Sequence, residues 1–181
     1  MAPAKRTAAL ACALVVAGCN PQAPKTAAQA TPAAAASPTP LSLHITAQGN
    51  ARQPVRAIYQ IHNRVQYDLV ASSAESVGPQ GSTRAKFANA RITFHDKNGT
   101  TMVATAPTAV VDESTNSVTM FDRVRSQTST GMSLQCDRLV FDRTSEMLHG
   151  TGNVVIVDPK GFRATGSSFD SDVSLTHMHL I

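Results

Sequence analysis

Met102-Val-Ala-Thr-Ala106, Met132-Ser-Leu-Gln-Cys136 and Phe162-Arg-Ala-Thr-Gly166 are three copies of one short pattern, 30 residues apart (132 − 102 and 162 − 132). Each copy has a glycine before it: Gly99, Gly131 and Gly161. Each is followed by a second pattern: Ala109-Val-Val-Asp112, Leu139-Val-Phe-Asp142 and Phe169-Asp-Ser-Asp172. Self-similarity at a fixed period of this size marks stacked supersecondary units. Within each unit apolar and polar residues alternate, as a half-buried strand requires. The alternation slips once per unit, between Ala106 and Ala109, Cys136 and Leu139, and Gly166 and Phe169. A period-2 strand changes its inward parity only at a bulge or corner. Three slips at one repeat position therefore predict hairpin arms that bend around a shared interior.

Outward from this repeat, Ala85 to Phe94 leads in, with a turn at Asp96-Lys97-Asn98-Gly99. Val65 to Ala71 reads as a strand and Leu41 to Thr46 as the first one, while Ile58 to His62 is ambiguous. Ser72 to Ser82 reads as a loop, punctuated by Gly78-Pro79 and Gly81.

The N-terminus gives an address. Lys5 and Arg6 precede an apolar run, Ala8 to Val16, too short for the roughly 20 residues that span a bilayer. It ends in Val16-Ala-Gly-Cys19, a bacterial secretory signal whose end resembles a lipobox. That resemblance implies residues 1–18 as a lipoprotein signal peptide and a diacylglycerol on Cys19; ordinary cleavage of a plain signal is the alternative. Several acyl chains, at about 0.8 kcal/mol per buried methylene, anchor firmly. Residues 19–40 are rich in Pro, Ala, Thr and Gln and read as a tether. Residues 41–181 are long enough for one domain.

The 181 residues include no Trp and only 4% aromatics. Small residues at inward positions (Ala104, Ala106, Cys136, Ala164, Gly166) suggest an interior left partly open. Once Cys12 leaves with the signal and Cys19 is lipidated, Cys136 has no intrachain partner. The formal charge of +4 falls to +2 without Lys5 and Arg6, too little to argue for nucleic acid. The chain contains no Gly-x-Ser-x-Gly, no Gly-rich phosphate loop and no His-Glu-x-x-His. The expectation is no catalytic residue, no cofactor and no metal. His177 and His179 offer two ligands without a third. Asp112-Glu113 and Asp170/Asp172 read as turn formers rather than acid–base pairs. Arg84, Lys86, Arg91, Arg123, Arg125, Arg138 and Arg143 suit either a solvated strand face or contact with phosphate.

Further residues carry a family resemblance: Phe87-Ala-Asn-Ala-Arg-Ile-Thr-Phe94-His-Asp-Lys-Asn-Gly99, Ala104-Thr-Ala-Pro107, Leu148-His-Gly150-Thr-Gly-Asn-Val154, Gly161-Phe-Arg-Ala-Thr-Gly166 and Tyr67-Asp-Leu-Val-Ala71. With them the region resembles the LptC and LptA (OstA-like) periplasmic proteins of lipopolysaccharide export. The resemblance implies an all-β, twisted, open β-jelly roll whose layers hold acyl chains in a groove. It implies lipopolysaccharide as ligand, and docking by edge-strand addition to bridge proteins and the inner-membrane transporter. It also implies a periplasmic place, lipid-anchored to the inner membrane; Asn20, not Asp, after Cys19 leaves the outer membrane open. LptC is usually held by a transmembrane helix, and here a lipobox and tether stand instead. In the repeat register Met102, Ala104, Met132, Leu134, Phe162 and Ala164 are the lipid-groove candidates, all six facing one interior. The other reading is a structural envelope lipoprotein with a closed β-core that binds only proteins.

Overall fold

A strand that must change its buried face partway along needs a residue that tolerates an unusual backbone at the change. The computed structural model, which describes residues 43–79 and 82–181, places such residues on alternate strands of the sheet. Asn89, Asp122, Arg123, Gly152 and Asn153 have φ of 48, 69, 61, 77 and 46°. Pairing slips between Thr105 and Thr108, Phe121 and Val124, Gln135 and Arg138, and Gly166 and Ser168. Three of these four are the corners expected from the repeat.

Among the described residues there are eleven strands: β1 Leu43–Gln48, β2 Val55–Ile61, β3 Arg64–Ala71, β4 Ser73–Gly78, β5 Arg84–His95 and β6 Thr101–Asp112, then β7 Ser117–Thr128, β8 Ser133–Asp142, β9 Met147–Val157, β10 Arg163–Asp172 and β11 Met178–Leu180. Every pairing is antiparallel. From β5 to β10 the chain is an up-and-down meander in which each strand crosses the corner line. β3 and β4 both pair with β5, one on each side of the corner, and β2 and β1 extend them outward. The sheet is thus one open, bent ribbon with two arms, an all-β architecture of bent hairpins. β2 settles the ambiguous stretch. The expected loop Ser72–Ser82 is largely strand: its inward residues Ala74 and Ser76 are too small to give an apolar signal, and the Gly78-Pro79 punctuation marks only its end.

The arms fold onto each other. Each inner face is a row of paired residues running across the strands. On one arm the row is Ala57, Leu69, Ile92, Ala104, Ser126, Leu134, Ile156 and Ala164. On the other it is Ala74, Phe87, Ala109, Met120, Leu139, Gly150 and Phe169. Each row mixes large and small residues, which lets the facing rows interdigitate. Gly150 is required by this packing: a Cβ there would lie 1.9 Å from Cε1 of Phe169. Near the corner the layers converge, and the inward residues are small to match: Ala90, Ala106 and Cys136 are 2, 7 and 3% exposed. The small residues therefore fill a narrow crease instead of leaving the interior open there.

The turns repeat as well. Asp112 Oδ1 accepts the amide of Ser114 at 3.0 Å, Asp142 Oδ1 that of Thr144 at 2.7 Å, and Asp172 Oδ1 that of Thr176 at 2.9 Å. These Asx-type turns account for the acid that ends each unit. Hydrogen bonds hold the carboxyls of Asp112, chiefly from the Ser114 side chain, and Asp142, chiefly from the Ser145 amide, below their usual range. At Asp172 burial pushes the other way, but hydrogen bonds from His177 and Thr176 outweigh it and the pKa falls.

Candidate functional site

Burial along the inner rows shows where the interior is sealed and where it is bare. Met102, Ala104 and Leu134 are 0, 0 and 1% exposed, inside the core. Ala164 and Met132 are half-buried, and Met132 packs against the core. Phe162 is 71% exposed. It does not share the covered interior with the other five, although its parity is theirs. It closes the turn before β10, its carbonyl accepting the Asp158 amide at 2.9 Å. Met102, Met132 and Phe162 occupy equivalent places at the tips of successive hairpins, and exposure rises in that order.

The opposite arm shows the reverse gradient. Ile45, Ser76, Ala85, Val111, Val118, Phe141 and Leu148 form one inward row. Val118, Phe141 and Leu148 are 0, 1 and 0% exposed, whereas Ala85 and Val111 are half-buried and Ile45 is 52% exposed. The two arms are therefore skewed. The β3–β5 end of one covers the β8–β9 end of the other. Each leaves one shoulder of its inner face bare, at Ile45 beside β1 and at Phe162 beside β10.

A polar clasp fixes the covered end. Glu146, in the β8–β9 turn, accepts Gln66 Nε2 at 3.0 Å on Oε1 and pairs with the Arg64 guanidinium at the same atom. Its Oε2 lies 3.6 Å from Lys97 Nζ, in the β5–β6 turn. Beside it the Arg143 guanidinium sits 4.6 Å above the Tyr59 ring. Next to that pair, Tyr67 has its phenol pKa raised by burial, partly offset by the Arg143 charge. The sequence pattern groups Arg143 with basic residues suited to a solvated strand face or to phosphate, whereas here it is buried, and gives no sign of Glu146 or Gln66. Their partners are about 80 residues away in sequence, so no local pattern carries the signal.

The remaining candidates stand apart from the interior. Cys136 is buried and free, and burial, then the charge of Asp137, pushes its thiol up to about 12. His177 is largely exposed, with Nδ1 3.0 Å from Asp172 Oδ2, and serves the last turn. Among the described residues no group of three or more His, Cys, Asp or Glu could hold a metal ion. No helix there is long and apolar enough to cross a membrane. Cys19, the signal segment and the tether lie outside the described residues.

No protein-family model matches the chain. No curated protein matches it. Among solved structures it is similar to the crystal structure of LptH, the LptA-homologous periplasmic component of the conserved lipopolysaccharide transport device from Pseudomonas aeruginosa. The match has 13% sequence identity over 64% of this chain and 94% of that one, with a TM-score of 0.32.

Proposed function

We propose that this chain is a non-enzymatic, lipid-binding component of a periplasmic lipopolysaccharide-transport bridge. Residues 1–18 direct export, Cys19 carries the anchor, and residues 19–40 tether the domain of residues 41–181 to a cell-envelope membrane. One observation carries the reading: the inner face, largely apolar through its middle with Ser126 as an exception, runs out to bare shoulders at Ile45 and Phe162 on opposite sides of the sheet. An acyl chain meets apolar surface at one shoulder and leaves by the other. Burial on the next member of a chain of such domains offsets its loss here, so transfer needs no covalent chemistry. Met132, Phe162 and Ala164 form the accessible part of the groove. Met102, Ala104 and Leu134 become accessible only when the arms part. The outermost strands of the bent sheet, β1 and β2 on one side and β10 and β11 on the other, suit docking to bridge proteins by strand addition.

The closed-core alternative, a structural envelope lipoprotein, is favoured by one observation: the middle of the interior is filled, with Phe94, Phe141 and Met102 at 0 to 1% exposure. Mass analysis of lipid retained by the full chain purified from its native membrane in mild detergent separates the two readings. The transport reading expects lipopolysaccharide beyond the covalent anchor. Repeated recovery of the chain with its anchor alone supports the structural one.

A further inference from the structure

Three arginines outside the interior face one stretch of the sheet's outer surface. Across β5, β6 and β7 the outward row runs Arg91, Thr105, Arg125. The neighbours of these residues along each strand point inward: Ala90, Ile92, Ala104, Ala106, Val124 and Ser126 are all buried. Two strand spacings put the Arg91 and Arg125 backbones about 10 Å apart, with short Thr105 between them. Side chains of arginine length close that gap onto one small ligand. Arg123, held at the β7 corner with φ of 61°, joins them around a concavity of ≈ 480 Å³. A second hollow of ≈ 530 Å³ shares Arg91, Thr105 and Arg125 and adds Gln127 and Gln135.

None of the three arginines forms an ion pair among the described residues. Asp122 is the one carboxylate lining the first hollow. Asp137, at the β8 corner, is engaged by Asn153 Nδ2 at 2.7 Å. Three guanidinium charges against one carboxylate leave this face cationic. Strand-edge protection does not explain it, because β5, β6 and β7 are internal strands paired on both sides.

We propose that Arg91, Arg123 and Arg125 form a binding site for a phosphate group on the outer face of the sheet, separate from the apolar interior. A carboxylate accepts a single guanidinium fork, whereas a phosphate presents three oxygens and up to two charges to several. Thr105, Gln127 and Gln135 supply neutral hydrogen-bonding groups for the polar remainder of such a ligand. The phosphate belongs either to a soluble phosphorylated sugar or to a lipid headgroup.

The test titrates the full chain with sodium pyrophosphate, then with glucose 1-phosphate, and follows backbone and arginine Nε resonances. It also compares sedimentation with phosphatidic-acid and phosphatidylcholine vesicles, so that insertion of the anchor cancels. Saturable shifts centred on Arg91, Thr105 and Arg125 are expected. The Arg91→Gln/Arg125→Gln double variant should lower affinity about tenfold or more. Arg163→Gln, far along the same face, should leave it within about twofold. Capture by glucose 1-phosphate assigns the site to a soluble sugar phosphate. An arginine-dependent excess on phosphatidic-acid vesicles alone assigns it to a headgroup. Absence of both, or an equal loss in Arg163→Gln, overturns the proposal as mere surface charge. A thermal melt of the double variant that matches the parent excludes misfolding as the cause.

Discussion

The rings of Phe94 and Phe141 lie with centroids 4.8 Å apart, tilted at 49°, although β6 and β7 separate their strands in the sheet. Three strand spacings along the sheet would hold them about 14 Å apart. They meet only because the ribbon folds back and one arm crosses the other. Tyr67 joins them, its ring 6.2 Å from Phe94 and 6.3 Å from Phe141. The cluster marks where the arms overlap, and so fixes which ends of the interior stay bare.

Phe141→Ala should therefore cost about 3–5 kcal/mol of stability, the range for an aromatic ring removed from a packed core. Phe162→Ala, at an exposed position, should change stability by no more than about 0.5 kcal/mol. Urea unfolding of both variants checks the contrast. Similar costs at the two positions would mean that the second shoulder is covered.

The clasp gives a second expectation. Glu146→Gln removes the charge that Arg64 and Lys97 share and should destabilise the fold by about 1–3 kcal/mol. Hydrogen exchange should quicken at residues 64–66 and 97 while the corner strands keep their protection, because the arms loosen at the tip first. Uniform loss of protection would show that the clasp is part of one cooperative core.

Cys136 offers a chemical readout. With its thiol pKa near 12, the native domain should resist alkylation at pH 8 and react once unfolded in urea, since the thiolate is the nucleophile. Burial raises the thiol pKa in the folded state above the ordinary value of 9.0 that the unfolded chain keeps. The burial-linked stability is complete below about pH 9 and declines as pH rises towards 12, where the unfolded chain gains the thiolate first. Fast labelling of the native protein at pH 8 would place the thiol at the surface.

Asp172 acts in the opposite direction. Its folded pKa is depressed, so its contribution is present above about pH 4, the unfolded value, and is lost only in strong acid. Asp172→Asn should release the turn of residues 172–177 and raise exchange at Met178–Leu180 at neutral pH, while the β5–β8 amides stay protected.

The corners and inward parity were legible in the sequence because both are local. A slip between Cys136 and Leu139 appears in any window that contains them, and the same slip at Ala106/Ala109 and Gly166/Phe169 confirms it. β4 was not legible, because its inward residues Ala74 and Ser76 are small and its larger Glu75 and Val77 face outward, which leaves no apolar period to read. Phe162 shows the deeper limit. Its parity is that of Met102 and Met132, but coverage is decided by how far the opposite arm reaches, which depends on the skew between layers. Arg64, Gln66 and Glu146 escaped for the same reason.

The central claim, that acyl chains use the inner face, is tested most directly by a photocrosslinking amino acid placed at residues 162, 134 and 135 in turn in living cells, in the Arg91→Gln/Arg125→Gln chain so that the outer-face phosphate site beside Gln135 contributes no capture. Residue 162 lies on the bare shoulder, 134 in the covered row of the same face, and 135 on the opposite face, since neighbouring strand residues point apart. The account predicts lipopolysaccharide adducts at 162, weaker ones at 134 that strengthen when Glu146→Gln loosens the clasp, and none at 135. Equal capture at 135, or no lipid adduct at 162, would contradict it and leave the closed-core structural lipoprotein.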